Sequence, residues 1–197
     1  MSPGRRLPGL LLSAVLPLAV TWAHSEELGG NFTLTDHNNR PFELDQLKGK
    51  LVLLFFGYTY CPDICPTELA NLSAVLNALD DQAERVQGLF VTLDPGRDTP
   101  EVLQDYVRHF NRRLVGLTGS EEQVAQVARQ YRVSYQRHER GNGDYSIDHS
   151  VNLYLIDAQG ALSAVVPYGL PPQHLLETVH GHLAGMADKD ALSSTGR

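Results

Sequence analysis

The chain has 197 residues, 42% of them hydrophobic and 20% charged, enough for one globular domain that buries a real core and has no need of disulfides to fold. Its formal net charge is −7, which excludes nucleic acid as a natural partner, because binding phosphates needs a basic surface.

Taken in chain order, residues 1–23 read as an export signal. Arg5 and Arg6 precede the apolar run LPGLLLSAVLPLAV, and Thr21 and Ala23 supply small residues ahead of a cut. An uncleaved membrane anchor is the alternative; against it, the run is short for a span of roughly 20 apolar residues and is interrupted by Pro8 and Pro17. The arginine pair lacks the surroundings of a twin-arginine signal, and a mitochondrial presequence would be longer and richer in Ser and Arg. The expected setting is a bacterial periplasm, with the inner membrane touched only through such an anchor. A cut before His24 removes both leader arginines and Trp22, the only tryptophan, and takes the charge from −7 to −9.

Residues 24–30 (HSEELGG) form a linker, and residues 31–186 the folded domain. NFTLTD and RPFELDQL flank the polar turn HNNR and predict a hairpin. LVLLFF at 51–56 is apolar on both faces, the signature of a central strand covered on two sides. Beyond the cysteines, Leu69, Leu72, Leu76 and Leu79 fall on one helical face, with Pro66 suited to the first turn, so Cys65 belongs at or next to a helix start. The pattern repeats with strand VQGLFVTLD and a helix opened by Thr99 and Pro100 carrying Val102, Tyr106 and Phe110. It repeats again with strand RLVGLT, a cap at Ser120 to Gln123, and a helix with Val124, Val127, Ala128 and Tyr131. VSYQ and a charged, glycine-containing loop RHERGNGDYS lead to strand VNLYLID, the turn DAQG, strand ALSAVV and a last helix with Leu175, Leu176, Val179 and Leu183. Alternating strands and helices with a closing hairpin predict an α/β domain whose mixed sheet is covered by helices. Residues 187–197 read as a flexible tail.

GYTYCPDICP holds the only two cysteines, Cys61 and Cys65. A structural disulfide is the bland reading for an exported chain, yet a loop of about five residues yields only about 2 kcal/mol on the chain-entropy estimate. Position favours chemistry: sites in open α/β sheets form beyond the carboxyl ends of strands, and a helix N-terminus stabilises thiolate. The spacing puts the sulfurs about one helical turn apart, close enough for a redox disulfide or for one shared metal ion. Two thiolates suit a soft ion such as Cu(I), and with no cysteine left, only a histidine can supply a third ligand.

GYTYCPDICPTEL, VTLDPGRDTP, LVGLTG and DHSVNLYLID, in that order within residues 28–186, resemble the Sco/SenC family of copper proteins. The resemblance implies a thioredoxin-like fold, a mixed central sheet with helices on both faces and an N-terminal hairpin. It implies copper, as Cu(I) or Cu(II), held by Cys61, Cys65 and His149, and a metallochaperone rather than an enzyme. The implied partner is the copper-bearing subunit of cytochrome c oxidase, whose dinuclear site it helps assemble, with another periplasmic copper chaperone or a thiol reductant on the supply side. Ser150 stands where the family often has threonine, and thioredoxin's Cys-x-x-Cys is absent.

Other residues carry weaker signals. Asp148 is a candidate acceptor for the His149 ring; Asp63 reads as a helix cap. Asp94, Arg97 and Asp98 read first as a salt-bridged turn. His174, His180, His182 and Met186 invite a second copper site, but their spacing around an already apolar helix face favours a solvated surface. His24 at a new N-terminus is a further candidate for Cu(II), and the sequons at Asn31 and Asn71 mean nothing in a bacterial source. The rival activity is a thiol-disulfide reductase on Cys61 and Cys65, which needs no histidine. A peroxidase lacks the residues expected before an attacking cysteine, and haem attachment fails because Pro66 follows Cys65.

Overall fold

The structure, a computed structural model, describes residues 28–194, with side chains through residue 187. The leader, His24 and the start of the linker lie outside the described residues.

The LVLLFF run forms β3 (Leu51–Gly57), buried at every position. Because side chains alternate across a strand, Leu51, Leu53 and Phe55 enter one apolar cluster and Val52, Leu54 and Phe56 another. Two parallel neighbours extend it, β4 (Val86–Thr92) and then β5 (Leu114–Thr118). On the other side β8 (Leu153–Ile156) and β9 (Leu162–Val166) pair antiparallel, the closing hairpin expected from VNLYLID and ALSAVV. The N-terminal hairpin, β1 (Thr33–Asp36) with β2 (Pro41–Glu43), joins through β5, giving a seven-stranded mixed sheet in the order β2-β1-β5-β4-β3-β8-β9.

Helices cover both faces, as expected of a thioredoxin-like domain. α1 (Ile64–Ala78), α2 (Pro100–Phe110) and α4 (Pro172–Ser194) pack on the Phe55 side, and α3 (Glu121–Gln130) on the Phe56 side. Ser120 and Gln123 form the capping box that the sequence predicts. α4 continues through Ser194, past residue 187, where the sequence reading starts a tail.

Two expectations need correction. On α2 the buried pair is Leu103 and Val107, while Val102 is 38% exposed. Thr99 caps the helix through the Val102 amide, and this start turns Leu103, Val107 and their half-buried neighbours Tyr106 and Phe110 inward. The segment read as the loop RHERGNGDYS is a separate two-stranded hairpin, β6 (Tyr135–Gly141) with β7 (Asp144–His149). β6 is exposed along its whole length, so it shows no alternation of polar and apolar residues. Its local signal is the turn, where Asn142 (φ 56) and Gly143 (φ 78) take the left-handed conformations that a tight hairpin requires.

One buried carboxyl fastens the chain just before the cysteines. Asp98, fully buried between β4 and α2, accepts from the Thr59 amide (3.0 Å), the Thr59 hydroxyl (2.5 Å) and the Thr92 hydroxyl (2.6 Å). The loop leaving β3 is thereby tied to the end of β4. Asp98→Ala strands these donors and is expected to lower the unfolding free energy by about 2–4 kcal/mol, seen as a lower urea midpoint at unchanged slope. An unchanged midpoint would show that the loop is held by other contacts.

Candidate metal centre

The parallel strands β3 and β4 end together, and the chain leaving β3 turns into α1 within a few residues. Cys61 lies in that turn, its amide donating to the Tyr58 carbonyl (3.2 Å), and Cys65 is the second residue of α1. Pro66 is tolerated because amides of a first helical turn lack intrahelical partners. Asp63 occupies the cap position without a capping hydrogen bond from its side chain; its carbonyl accepts from the Thr67 amide and hydroxyl instead.

Cys65 is completely buried and Cys61 half-buried, and both are free thiols. The Cys65 amide points at the Cys61 sulfur (3.5 Å). His149, the last residue of β7, presents Nε2 at 3.5 Å from the Cys65 Sγ. The two sulfurs and Nε2 all lie within 4.8 Å of one another, the only such grouping of His, Cys, Asp and Glu donors among the described residues. The imidazole Nδ1 is 2.8 Å from the Ser150 carbonyl. A carbonyl only accepts, so Nδ1 carries the proton and Nε2 turns a lone pair toward the sulfurs. The rings of Phe55 and Tyr58 flank the imidazole at 6.4 and 6.0 Å between centroids.

The hairpin that delivers His149 is fastened at its base and middle. Ser134 and Ser150 exchange hydrogen bonds through the Ser150 amide (2.8 Å) and hydroxyl (3.0 Å), and the Tyr58 hydroxyl accepts from the Ile147 amide (3.3 Å). The Arg97 guanidinium lies against the Tyr145 ring (3.6 Å) and the Tyr60 ring (4.6 Å), donates to the Tyr145 carbonyl (3.2 Å) and pairs with Asp94. The Tyr145 hydroxyl donates to the same Asp94 (2.6 Å). Asp94 and Arg97 thus do more than close a turn, because they tie the histidine hairpin to the cysteine loop. Tyr58, Tyr60 and Tyr145 carry no sequence signal for this role, since an aromatic residue in a loop or strand ordinarily reads as packing.

Gly57 likewise carries no sequence signal for its role. A Cβ built there would stand 2.7 Å from the Cys65 Sγ and 2.9 Å from the Phe90 ring. The sulfur therefore occupies the space that any other residue would fill. Of the weaker candidates, Asp148 points away: it is largely exposed, and its carboxylate meets His138 at 3.2 Å. The acceptor on the His149 ring is a backbone carbonyl instead. His174 and His180 are exposed, while His182 and the buried Met186 line a cavity elsewhere.

The Cys65 thiol holds Cys61 well below the ordinary thiol range, against partial burial and with help from the Cys65 amide. Cys65 is driven the opposite way, first by the neighbouring Cys61 sulfur and then by its own burial. The buried sulfur thus holds its proton more tightly, and the half-open sulfur is the one that ionises first. Two sulfurs and one imidazole suit a soft ion in three-coordination; a structural zinc wants four protein ligands, and the oxygen donors that calcium and magnesium require are absent from this set.

The family model described as SCO1/SenC matches residues 21–184 of this chain. The chain is similar to the mitochondrial protein SCO2 of Saccharomyces cerevisiae, 40% identical over 169 residues that cover 84% of this chain and 56% of the yeast protein. It thus spans little more than half the length of that relative. It is also similar to the SCO2-like protein of Rickettsia felis, 39% identical over 158 residues, 79% of this chain and 77% of the other. Among solved structures, Bradyrhizobium japonicum ScoI with copper bound superposes with a TM-score of 0.74 at 37% identity, covering 79% of this chain and 99% of that one. Yeast Sco1 with copper bound gives 0.74 at 34%, covering 80% and 89%.

Two outcomes follow from the geometry. Iodoacetamide should modify Cys61 at a rate nearly flat between about pH 6 and about pH 8, where an ordinary thiol accelerates about tenfold per unit. Cys65 should stay unmodified until the protein unfolds, and peptide mass mapping distinguishes the two; a steep rise with pH would contradict a standing thiolate. Gly57→Ala should destabilise the fold by about 1–3 kcal/mol through overpacking, and a neutral result in thermal unfolding would mean that the sulfur can move aside.

Proposed function

This chain belongs to the SCO1/SenC family, and from that premise we propose that it is a periplasmic copper metallochaperone whose residues 31–186 bind one copper ion through Cys61, Cys65 and His149. The observation that carries the reading is the meeting of both sulfurs and the His149 Nε2 within 4.8 Å, with the imidazole drawn from a hairpin far along the chain. A thiol reductase has no use for that imidazole. Two relatives solved with copper bound share the fold over most of their length, which supports copper as the cargo. The acceptor is the copper-bearing subunit of cytochrome c oxidase, at its dinuclear site, and an upstream copper chaperone or thiol reductant loads or resets the thiols. Export rests on the leader at residues 1–23, cleaved or kept as an anchor; no helix among the described residues is long and apolar enough to cross a membrane.

The fastened hairpin constrains how release works. His149 does not swing away on a loose loop, because β6 and β7 are paired through their length and tied to Tyr58 and Asp94. Cys65 is closed off by burial. Cys61 is the half-open ligand and the thiolate, so an acceptor's sulfur or imidazole approaches from its side, displaces Cys61 first and draws the ion out through mixed coordination. Binding of Cu(I) by both sulfurs expels the proton that Cys65 retains, so apparent affinity rises with pH.

A second reading, reduction of a disulfide on the oxidase copper site or another exported protein, is favoured by the Cys61 thiolate beside a free Cys65. In that reaction Cys61 attacks the target disulfide, Cys65 resolves the mixed disulfide, and this chain leaves oxidised while the target gains two thiols. An anaerobic Cu(I) titration against a chromophoric competitor separates the readings. Cys61→Ser, Cys65→Ser and His149→Ala should each weaken Cu(I) retention by more than about 100-fold, beyond the about 10–100-fold range for outer-sphere changes. His149→Ala with undiminished affinity but lost copper transfer would refute its role as a ligand, and His149→Ala with full reductase activity alongside lost copper would assign the two activities to different parts of the site.

A further inference from the structure

His182 and Met186 share a cavity that the thiol centre does not touch. Its volume is about 420 Å³, and its walls include Leu51, Asp157, Ser163, Thr178, His182 and Met186. Gly181 and Gly185 open it on the α4 side, where a Cβ at either position would meet nothing within 4 Å.

An imidazole, a thioether and a carboxylate line this cavity. The His182 Nδ1 lies 2.8 Å from the Thr178 carbonyl, so Nδ1 holds the proton and Nε2 keeps its lone pair. This is the arrangement seen at His149, whose Nδ1 meets the Ser150 carbonyl at the same distance. Met186 follows four residues later on the same helical face, only 7% exposed, and helical side chains lean toward the N-terminus, bringing its thioether toward His182. Asp157 adds a negative charge to the wall; its Oδ1 accepts from the Gln159 and Ala161 amides (both 3.0 Å).

One neutral imidazole nitrogen and one neutral thioether sulfur form a soft, uncharged donor set. Such a set prefers a monovalent soft ion to calcium, magnesium or a structural zinc. The geometry points to a second metal site, in which His182 Nε2 and Met186 Sδ hold one Cu(I) ion independently of Cys61, Cys65 and His149. Asp157 on the same wall carries charge opposite to that of the ion. The two sites are remote from each other. Leu51 lines this cavity while Gly57, at the other end of the same strand, touches Cys65; seven residues of strand span about 20 Å at about 3.3 Å each. No ligand belongs to both, so each site fills and empties on its own.

The test uses the full chain with Cys61 and Cys65 both replaced by serine, titrated anaerobically with Cu(I) against a chromophoric competitor. One equivalent should remain bound. Adding Met186→Leu, which preserves core volume, or His182→Gln should each weaken that equivalent by more than the about 10–100-fold effect of losing an outer-sphere partner. Ag(I) should shift the Met186 methyl resonance in the same double-serine protein and leave it in place after His182→Gln. Should His182→Gln fail to fold, Met186→Leu and the methyl shift decide alone. No copper held by the double-serine protein, or copper held equally well after Met186→Leu, overturns the site. Neither result bears on the thiol centre, which is read separately from the copper lost on replacing the two cysteines.

Discussion

The Cys65 sulfur rests against the backbone of Gly57, where a side chain of any size would collide with it. This contact joins the end of the central strand to the first turn of α1, and the rest of the centre is placed from it. Burial against the strand end makes Cys65 hold its proton, and the helix geometry sets Cys61 about one turn away at the surface. The charge of the pair then settles on the outer sulfur. A glycine at a strand end, two cysteines three residues apart and a helix start are thus one device for keeping one sulfur closed and the other open.

The third donor is brought in by a hairpin with almost no core of its own. β6 is exposed throughout, and of β7 only Ile147 is fully buried. What holds the hairpin is polar and aromatic: Arg97 between Tyr145 and Tyr60, Asp94 under both Arg97 and the Tyr145 hydroxyl, and the Tyr58 hydroxyl under the Ile147 amide. Since Tyr58 and Tyr60 stand just before Cys61, the same residues set the cysteine loop and the histidine hairpin relative to each other. Asp98 fixes the base of that loop from beneath. The LDPGRDTP segment contributes no ligand, yet it holds both halves of the site at their working separation.

This division between a stiff frame and one open sulfur suits the proposed role of carrying a soft ion and giving it up. Strong binding needs donors already in place, so that ordering them costs nothing when the ion arrives. Release needs a face from which an incoming ligand can start. Burial of Cys65 and the locked tautomer of His149 serve the first need, and exposure of Cys61 serves the second. The same tautomer lock recurs at His182, where a backbone carbonyl one helical turn back does what the Ser150 carbonyl does for His149.

Much of the architecture was legible because burial leaves a mark on sequence. LVLLFF could only be a strand covered on both faces, the leucines after Cys65 could only be one side of a helix, and Ser120 with Gln123 announced a helix start. The thiol pair and its place at a strand end and helix mouth were legible for the same reason. The α2 face was misjudged by one position because a cap, not the apolar spacing, sets its phase. The hairpin read as a loop because a strand exposed on both sides has no alternation to show, although its Asn-Gly turn was there to be weighed. His149 was named from resemblance to a family and not from its surroundings, and Gly57 and the tyrosines were not singled out at all. Local sequence determined the elements, the soft character of the available ligands and the place of the pair between a strand end and a helix start, since these depend on neighbours along the chain. Only the tertiary structure decided that an imidazole 84 residues beyond Cys65 comes within 3.5 Å of its sulfur, because that distance is set by packing between segments whose partners no local pattern records.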